Sequence, residues 1–278
     1  MTIAVGFRCV DGVVLATDSQ YTEGIAKLYG QKIFPIPSNG HYALTIAGAG
    51  GVPSLKGIVG QIEDRLQRQI GSKPAKVSDL KSVVEDVLRA YYPKYIDSAP
   101  KTKRDDLGVQ LLVATWVAGR GTRLFETYRT FVTEVTHHRS IGVGSWLVEY
   151  LRDMFFPPGH RPSVEVAKPL AAYMVWAAKK YIECCGGHTF VRTLLDDGTD
   201  RRVWGEEIQD AETYFQDCFK GLAYIRRSLS IAVDPENIDM VPFAKILKDR
   251  LVEFRQRQKK YLDQQARNRA ECRPTQPE

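Results

Sequence analysis

A threonine stands at position 2, behind the initiating methionine, and opens the run Thr2-Ile-Ala-Val-Gly-Phe-Arg-Cys-Val-Asp-Gly-Val-Val-Leu-Ala-Thr-Asp18. Removal of Met1 would give one residue both a hydroxyl nucleophile and a free α-amine. A reference α-amine titrates near ~7.7–8.0, so around neutral pH a sizeable fraction is free base and can take a proton. A threonine hydroxyl is a weak nucleophile that needs such a base, and its own amine can serve, directly or through one water. The amine works only if its pKa stays at or below ambient pH, which a nearby cation enforces by like-charge repulsion. Lys32, at the start of Lys-Ile-Phe-Pro, is the candidate cation, and Asp18 the carboxylate that keeps it charged in a groove. The oxyanion of an acyl transfer needs fixed N–H donors. The backbone at Gly48, after Leu-Thr-Ile-Ala, allows close approach with no side chain in the way. Each residue alone has an ordinary explanation: a turn aspartate, an edge-guarding lysine, a tight glycine junction. Their joint order, each at a strand end, is the signal.

Strands must bring these four together. Ile3–Cys9 and Val13–Thr17 read as strands around an Asp11-Gly12 hairpin turn. Lys32–Pro35 and Tyr42–Ala47 form a second pair around Pro37-Ser38-Asn39-Gly40. Leu55, Ile58, Val59, Ile62 and Leu66 recur at helical spacing and predict a helix over Pro53–Ile70. Ser78 reads as the cap of a second helix, Asp79–Tyr91. A polar loop (Asp97–Asp106) precedes strands at Val109–Val117, Thr122–Thr127 and Thr130–Val135. Helices follow at Trp146–Phe155 and from a Ser163 cap to Glu183, the latter with Val166, Leu170, Met174 and Ala177 inward. Strands at His188–Leu195 and Arg201–Trp204 close the region. This is not the β-α alternation of a parallel doubly wound sheet. It predicts an α+β fold, a four-layer αββα sandwich of two antiparallel sheets with helix pairs outside, over residues 1–205. Residues 206–278 read as a helical C-terminal extension, with amphipathic segments Ile208–Leu229 and Pro242–Ala270.

The net charge of +6 raises nucleic acid as a partner. The basic residues, however, concentrate from Arg255 to Arg269, interleaved with Gln, as on a solvated helix face, so nucleic acid is not the favoured reading. Five scattered cysteines without a C-x-x-C pair, and histidines without ligand spacing, predict no disulfide framework, metal or cofactor. No run of ~18 apolar residues and no secretory pattern occur, so a cytoplasmic protein without membrane association is expected.

The run from Thr2 to Asp18 resembles the opening of proteasome subunits and their bacterial HslV-type relatives, which are N-terminal-nucleophile hydrolases. Lys32-Ile33-Phe34 is similar to the segment holding that family's catalytic lysine, and Ala47-Gly48 to the one whose glycine N–H completes its oxyanion hole. The resemblance implies Thr2 as nucleophile and, through its amine, base, with Lys32 tuning that amine, Asp18 holding Lys32 and Gly48 binding the oxyanion. It implies a threonine-type peptidase or amidase acting through an acyl-enzyme on a peptide or unfolded-protein substrate. It also implies homo-oligomeric rings and an unfoldase partner. Inactive α-type subunits carry an extension before this strand; none precedes it here, which favours a β-like, active role. The chain departs from the family pattern at Val143, where a serine is usual, and at Ile182 and Cys185, where an aspartate and a serine are usual. The Asp18–Lys32 loop is two residues shorter than is typical. Val143 and Ile182 motivate a rival reading, a non-catalytic structural subunit; acyl transfer to another amine is a third. Beyond Glu206 the resemblance ends, and Trp204, Tyr214, Phe215 and Phe219 read first as packing.

Overall fold

Strands β1 (Ile3–Arg8) and β2 (Gly12–Asp18) are apolar on both faces because both faces are covered. The computed structural model describes residues 2–230 apart from 24, 25, 102, 103, 105, 106 and 158; beyond these it describes only 245, 248, 249, 252, 253, 255–257, 259, 260 and 263. β1 and β2 lie in a five-stranded antiparallel sheet, order β10-β1-β2-β11-β12, with β10 at His138–Gly142, β11 at Thr189–Leu195 and β12 at Asp200–Arg202. The second antiparallel sheet runs β5-β6-β7-β8-β9: Ile33–Ile36, Tyr42–Ala49, Gln110–Val117, Gly121–Tyr128 and Phe131–Val135. Between the sheets, small residues such as Ala4, Ala43 and Ala47 pack with Leu15, Leu112 and Leu124. Gly6 lets the sheets close there, since a Cβ would sit 3.1–3.3 Å from three leucine methyls.

Helices α1 (Val52–Gln69) and α2 (Val77–Tyr91) cover the β5–β9 sheet, burying Ile58, Ile62, Val84 and Leu88 against Leu44, Ile46 and Val113. α3 (Ser145–Phe155) and α4 (Val164–Tyr181) cover the other sheet. The layers are therefore helix, sheet, sheet, helix: the αββα sandwich. No described helix is long and apolar enough to cross a membrane.

Several details differ from the sequence reading. A short hairpin, β3 (Gln20–Glu23) with β4 (Ala26–Tyr29), fills what the sequence left as a connection. Its mixed polar residues carry no apolar alternation. β10 escaped notice for the same reason. α2 starts at Val77, where the Asp79 carboxylate accepts the Lys76 N–H at 2.9 Å, so Asp79 and not Ser78 caps it. Past Tyr91 the chain does not stop but widens into a π turn, Tyr92–Asp97, anchored by the Tyr92 hydroxyl donating to the Val109 carbonyl at 2.9 Å. In α4 the expected Leu170, Met174 and Ala177 are buried, with Ala167, Ala171 and Ala178 beside them, whereas Val166 is exposed.

β10 is an outer strand, yet two of its outward donors are closed: Ser140 N–H donates to Glu149 Oε1 at 3.0 Å and Gly142 N–H to Gln110 Oε1 at 3.1 Å. Side chains thus occupy the donors through which a foreign strand could add. Burial alone would raise the Glu149 carboxyl. His138, whose Nδ1 is 3.3 Å away, and the Ser140 hydroxyl and N–H outweigh it and hold the carboxyl at about 2. A carboxyl depressed on folding stabilises above its unfolded pKa and loses that contribution as pH falls through its folded one. The thermal midpoint of the wild-type protein is therefore expected to exceed that of Glu149→Gln at pH 6. The gap should close between about pH 4.5 and 2; a constant gap in calorimetry across that window contradicts the assignment.

The chain divides into two compact units, Met1–Trp204 and Gly205–Glu278. In the second, α5 (Gly205–Ser230) buries Ile208, Ala211 and Phe215, which share one face, with Tyr214 half-buried. Trp204, just before it, is exposed. The expected helix over Pro242–Ala270 falls largely outside the described residues, as do Met1 and the side chains of Cys218 and Phe219.

Candidate active site

The hairpin register sets the first contact. Ala4 pairs with Thr17, which carries Asp18 alongside the residues that open β1. Ile3 N–H donates to Asp18 Oδ1 at 3.2 Å, and the Thr2 hydroxyl donates to the same oxygen. Lys32 arrives from the facing sheet, one residue before β5. Its ammonium donates to Asp18 Oδ1 at 2.7 Å, to Thr2 Oγ1 and to the Gln20 carbonyl. The far carboxylate oxygen, Asp18 Oδ2, accepts Gly186 N–H at 3.0 Å, from the loop before β11. Thr2, Asp18 and Lys32 are all buried, the last two completely.

An ion pair with no solvent contact contributes little to stability, because desolvation of both charges offsets their attraction. Such a pair beside a hydroxyl is a candidate site of chemistry. Burial lowers the Lys32 pKa below its ordinary 10.5, and Asp18 opposes that shift only in part. A lysine made easier to deprotonate, touching the threonine oxygen itself, is a base candidate in its own right. The sequence had given it only the role of tuning the α-amine.

Gly48 does not join the cluster through its N–H, which donates to the Lys32 carbonyl at 3.0 Å as an extension of the β5–β6 ladder. Its lack of a side chain has a packing cause: a Cβ would lie 2.3 Å from Leu55 Cδ2 on α1. Gly142 is the glycine that meets the threonine. Its φ is +94°, and a Cβ there would come within 2.1 Å of the Thr2 carbonyl oxygen. The next residue, Val143, donates its N–H to that oxygen at 3.0 Å.

The proteasome-subunit family model matches residues 2–160, more than half of the 278-residue chain and the part that holds Thr2, Asp18 and Lys32. The chain belongs to the proteasome subunit family. Solved structures similar to it include Anbu, described as an ancestral beta-subunit, from Yersinia bercovieri. At 16% identity its TM-score is 0.68, over 80% of this chain and 96% of that one. A helical assembly of the Anbu complex from Pseudomonas aeruginosa superposes with a TM-score of 0.69 at 16% identity, over 85% and 100% of the two chains. Anbu from Hyphomicrobium sp. strain MC1 gives 0.64 at 16% identity, over 84% and 98%. No curated protein matches the chain by sequence.

In this proteasome-family subunit the departures noted in the sequence have distinct structural roles. Val143 contributes its backbone to Thr2 while its side chain is exposed. Cys185 is buried behind Gly144, whose Cβ position lies 3.4 Å from its Sγ. Burial first, then the Asp18 charge, push its thiol up to about 12, so it remains protonated and is no nucleophile at neutral pH. Ile182 belongs to the end of α4, where its N–H donates to the Ala178 carbonyl.

Sequence reasoning missed Gln20, Gly186 and Gln110, which act through backbone groups or reach the site from a distant strand. Gln110 lies opposite Ala49 in the β6–β7 register and holds the Gly142 N–H, one residue from the Val143–Thr2 bond. Gln110→Leu is expected to slow covalent labelling of Thr2 by about fivefold, the effect of one lost hydrogen bond of ~1 kcal/mol. Gln110→Glu, which keeps an acceptor, should restore most of the rate. Equal labelling rates in all three folded proteins would rule out the positioning role.

Proposed function

We propose that this subunit is a threonine-type peptidase or amidase that uses Thr2, once Met1 is removed, to cleave peptide bonds through an acyl-enzyme. The observation that carries this reading is the buried contact of Lys32 with both the Thr2 hydroxyl and Asp18. Neutral Lys32, or the α-amine, takes the proton of the Thr2 hydroxyl as its oxygen attacks the substrate carbonyl carbon. The same base returns the proton to the leaving amine, which departs and leaves an ester on Thr2. Water, activated in the same way, then hydrolyses the ester. Asp18 keeps its negative charge throughout and offsets the ammonium that forms on Lys32. Gly48 N–H serves as oxyanion donor when it exchanges the Lys32 carbonyl for the substrate oxygen.

The similarity to Anbu supports a homo-oligomeric assembly, either a closed ring or an open helix. By family analogy, unfolded polypeptide is the substrate, an unfoldase feeds it and the cytoplasm is the compartment. A second reading, a non-catalytic subunit, draws on two observations: Thr2 is buried and the Gly48 N–H is already occupied.

One experiment separates the two readings. Native protein is analysed at its N-terminus by mass spectrometry and then treated with a peptide bearing a threonine-directed electrophile. Loss of Met1 with a single adduct on Thr2 is the expected result. Retained Met1 with no adduct would establish the structural reading and end the enzymatic one.

A further inference from the structure

A cleft of about 250 Å³ opens between the sheets, where the outer strand β10 meets β7, β8 and β9. Gln110, Glu126, Thr127 and Thr133 line it from one sheet, and Arg139 and Ser140 from the other. The volume is below the ~300–1,000 Å³ that takes a drug-sized ligand. It is several times the ~30 Å³ share of one water. It therefore suits a small organic molecule.

The one pair of charges in the wall says which kind. Arg139 Nε donates to Glu126 Oε2 at 2.5 Å, and both side chains reach solvent, 50% and 23% exposed. That bond leaves Glu126 Oε1 and the two Nη groups of Arg139 without a protein partner among the described residues. A carboxylate touching a guanidinium matches a ligand whose ammonium and carboxylate flank one carbon. The ammonium meets Oε1, and the carboxylate takes the Nη donors. A phosphate would meet the Glu126 charge, and a sugar would leave both charges unmatched.

The rest of the wall is polar and uncharged. Gln110 Oε1 accepts Gly142 N–H, which leaves Nε2 to donate. Thr127 Oγ1 accepts Leu111 N–H at 2.9 Å and keeps its own proton. The Ser140 hydroxyl donates to Glu149 Oε1 at 2.8 Å and keeps a lone pair. An apolar group among these would strip them of water without replacing the bonds, and a second charge would find no partner. We propose that this cleft binds a free α-amino acid with an uncharged polar side chain, an amide above all, and that the bound molecule steadies the Thr2 end of the chain. The ligand's amide oxygen accepts from Gln110 Nε2. It thereby pins the side chain whose other end holds Gly142, one residue from the Val143–Thr2 bond.

Binding here does not rest on the proposed chemistry; only the effect on Thr2 does. Titration calorimetry of the wild-type protein with glutamine is expected to show one saturable site with a Kd of about 1 mM or below, the range for a ligand of about ten heavy atoms. N-acetylglutamine lacks the ammonium, glutaminamide lacks the carboxylate, and leucine lacks the amide; each should bind at least tenfold more weakly. Arg139→Gln and Glu126→Gln should weaken glutamine binding at least tenfold. Both variants fold, because a partly exposed pair adds little to stability. Thr133→Phe fills the cleft with both charges in place and should abolish binding. Saturating glutamine should speed covalent labelling of Thr2 at least twofold in the wild type and not in Arg139→Gln. No saturable binding at ten times the expected Kd, or equal binding of leucine and glutamine in all proteins, overturns the site. Binding as expected with an unchanged labelling rate overturns the coupling to Thr2. A protein that binds glutamine but never labels at Thr2 overturns the peptidase reading and leaves the amino-acid site standing.

Discussion

Replacing Thr2 with alanine is expected to lower kcat/KM for a fluorogenic peptide by at least about 10³-fold, because the nucleophile and its covalent route disappear together. The fold should barely notice. Without the hydroxyl, Lys32 still bonds Asp18 at 2.7 Å and the Gln20 carbonyl, and Asp18 still accepts Ile3 N–H and Gly186 N–H. No buried charge is left alone, so the cost is about 1 kcal/mol, that of one hydrogen bond. Thr2→Ser keeps the hydroxyl and should retain substantial activity. Peptide turnover in Thr2→Ala within tenfold of wild type, with Met1 absent, would remove threonine chemistry from this protein. Calorimetry beside the assay separates lost catalysis from lost fold.

The second large effect lies at Lys32. Lys32→Arg preserves the positive charge beside Asp18 but removes the proton acceptor, since a guanidinium does not deprotonate in a protein. A loss of about 10²–10⁴-fold is expected, the range for a general base. Lys32→Ala is the less informative variant. It strands a buried carboxylate and is expected to cost about 3–5 kcal/mol of stability, so part of its activity loss is unfolding. The pH profile adds a sign. Burial holds the lysine below 10.5, and its proton-accepting form grows as pH rises through that lowered value. The rate should therefore climb along an acid limb in the wild type, and this limb should be missing in whatever activity Lys32→Arg retains. An identical limb in both proteins would assign the base to the α-amine alone.

Much of this was legible in one dimension. The apolar hairpin around Asp11-Gly12, the helical spacing of Leu55, Ile58, Ile62 and Leu66, and the grouping of strands between helix pairs follow from local patterns, and they specify the αββα order. Thr2, Asp18 and Lys32 stood out because each lies at a strand end, where alternation stops. β3, β4 and β10 did not, because they are short and mix polar with apolar residues. The outward turn of Val166 escaped for a related reason: Ala167 and Ala171 give a hydrophobicity pattern little contrast at the start of the stripe, while Leu170, Met174 and Ala177 are buried as expected.

Residue types and their order thus determined the family, the layered architecture and the three side chains proposed for acyl transfer. Tertiary structure decided how they meet. Closing the two sheets against each other drives Lys32 onto the Thr2 oxygen, strips both charges of water and lowers the lysine's hold on its proton. The β5–β6 ladder spends the Gly48 N–H on the Lys32 carbonyl, Gly142 closes on Thr2, and Gln110 joins through its side-chain oxygen and Gly186 through its N–H. Desolvation and contacts between distant backbone groups depend on where strands stop in space, and residue type alone carries no record of that.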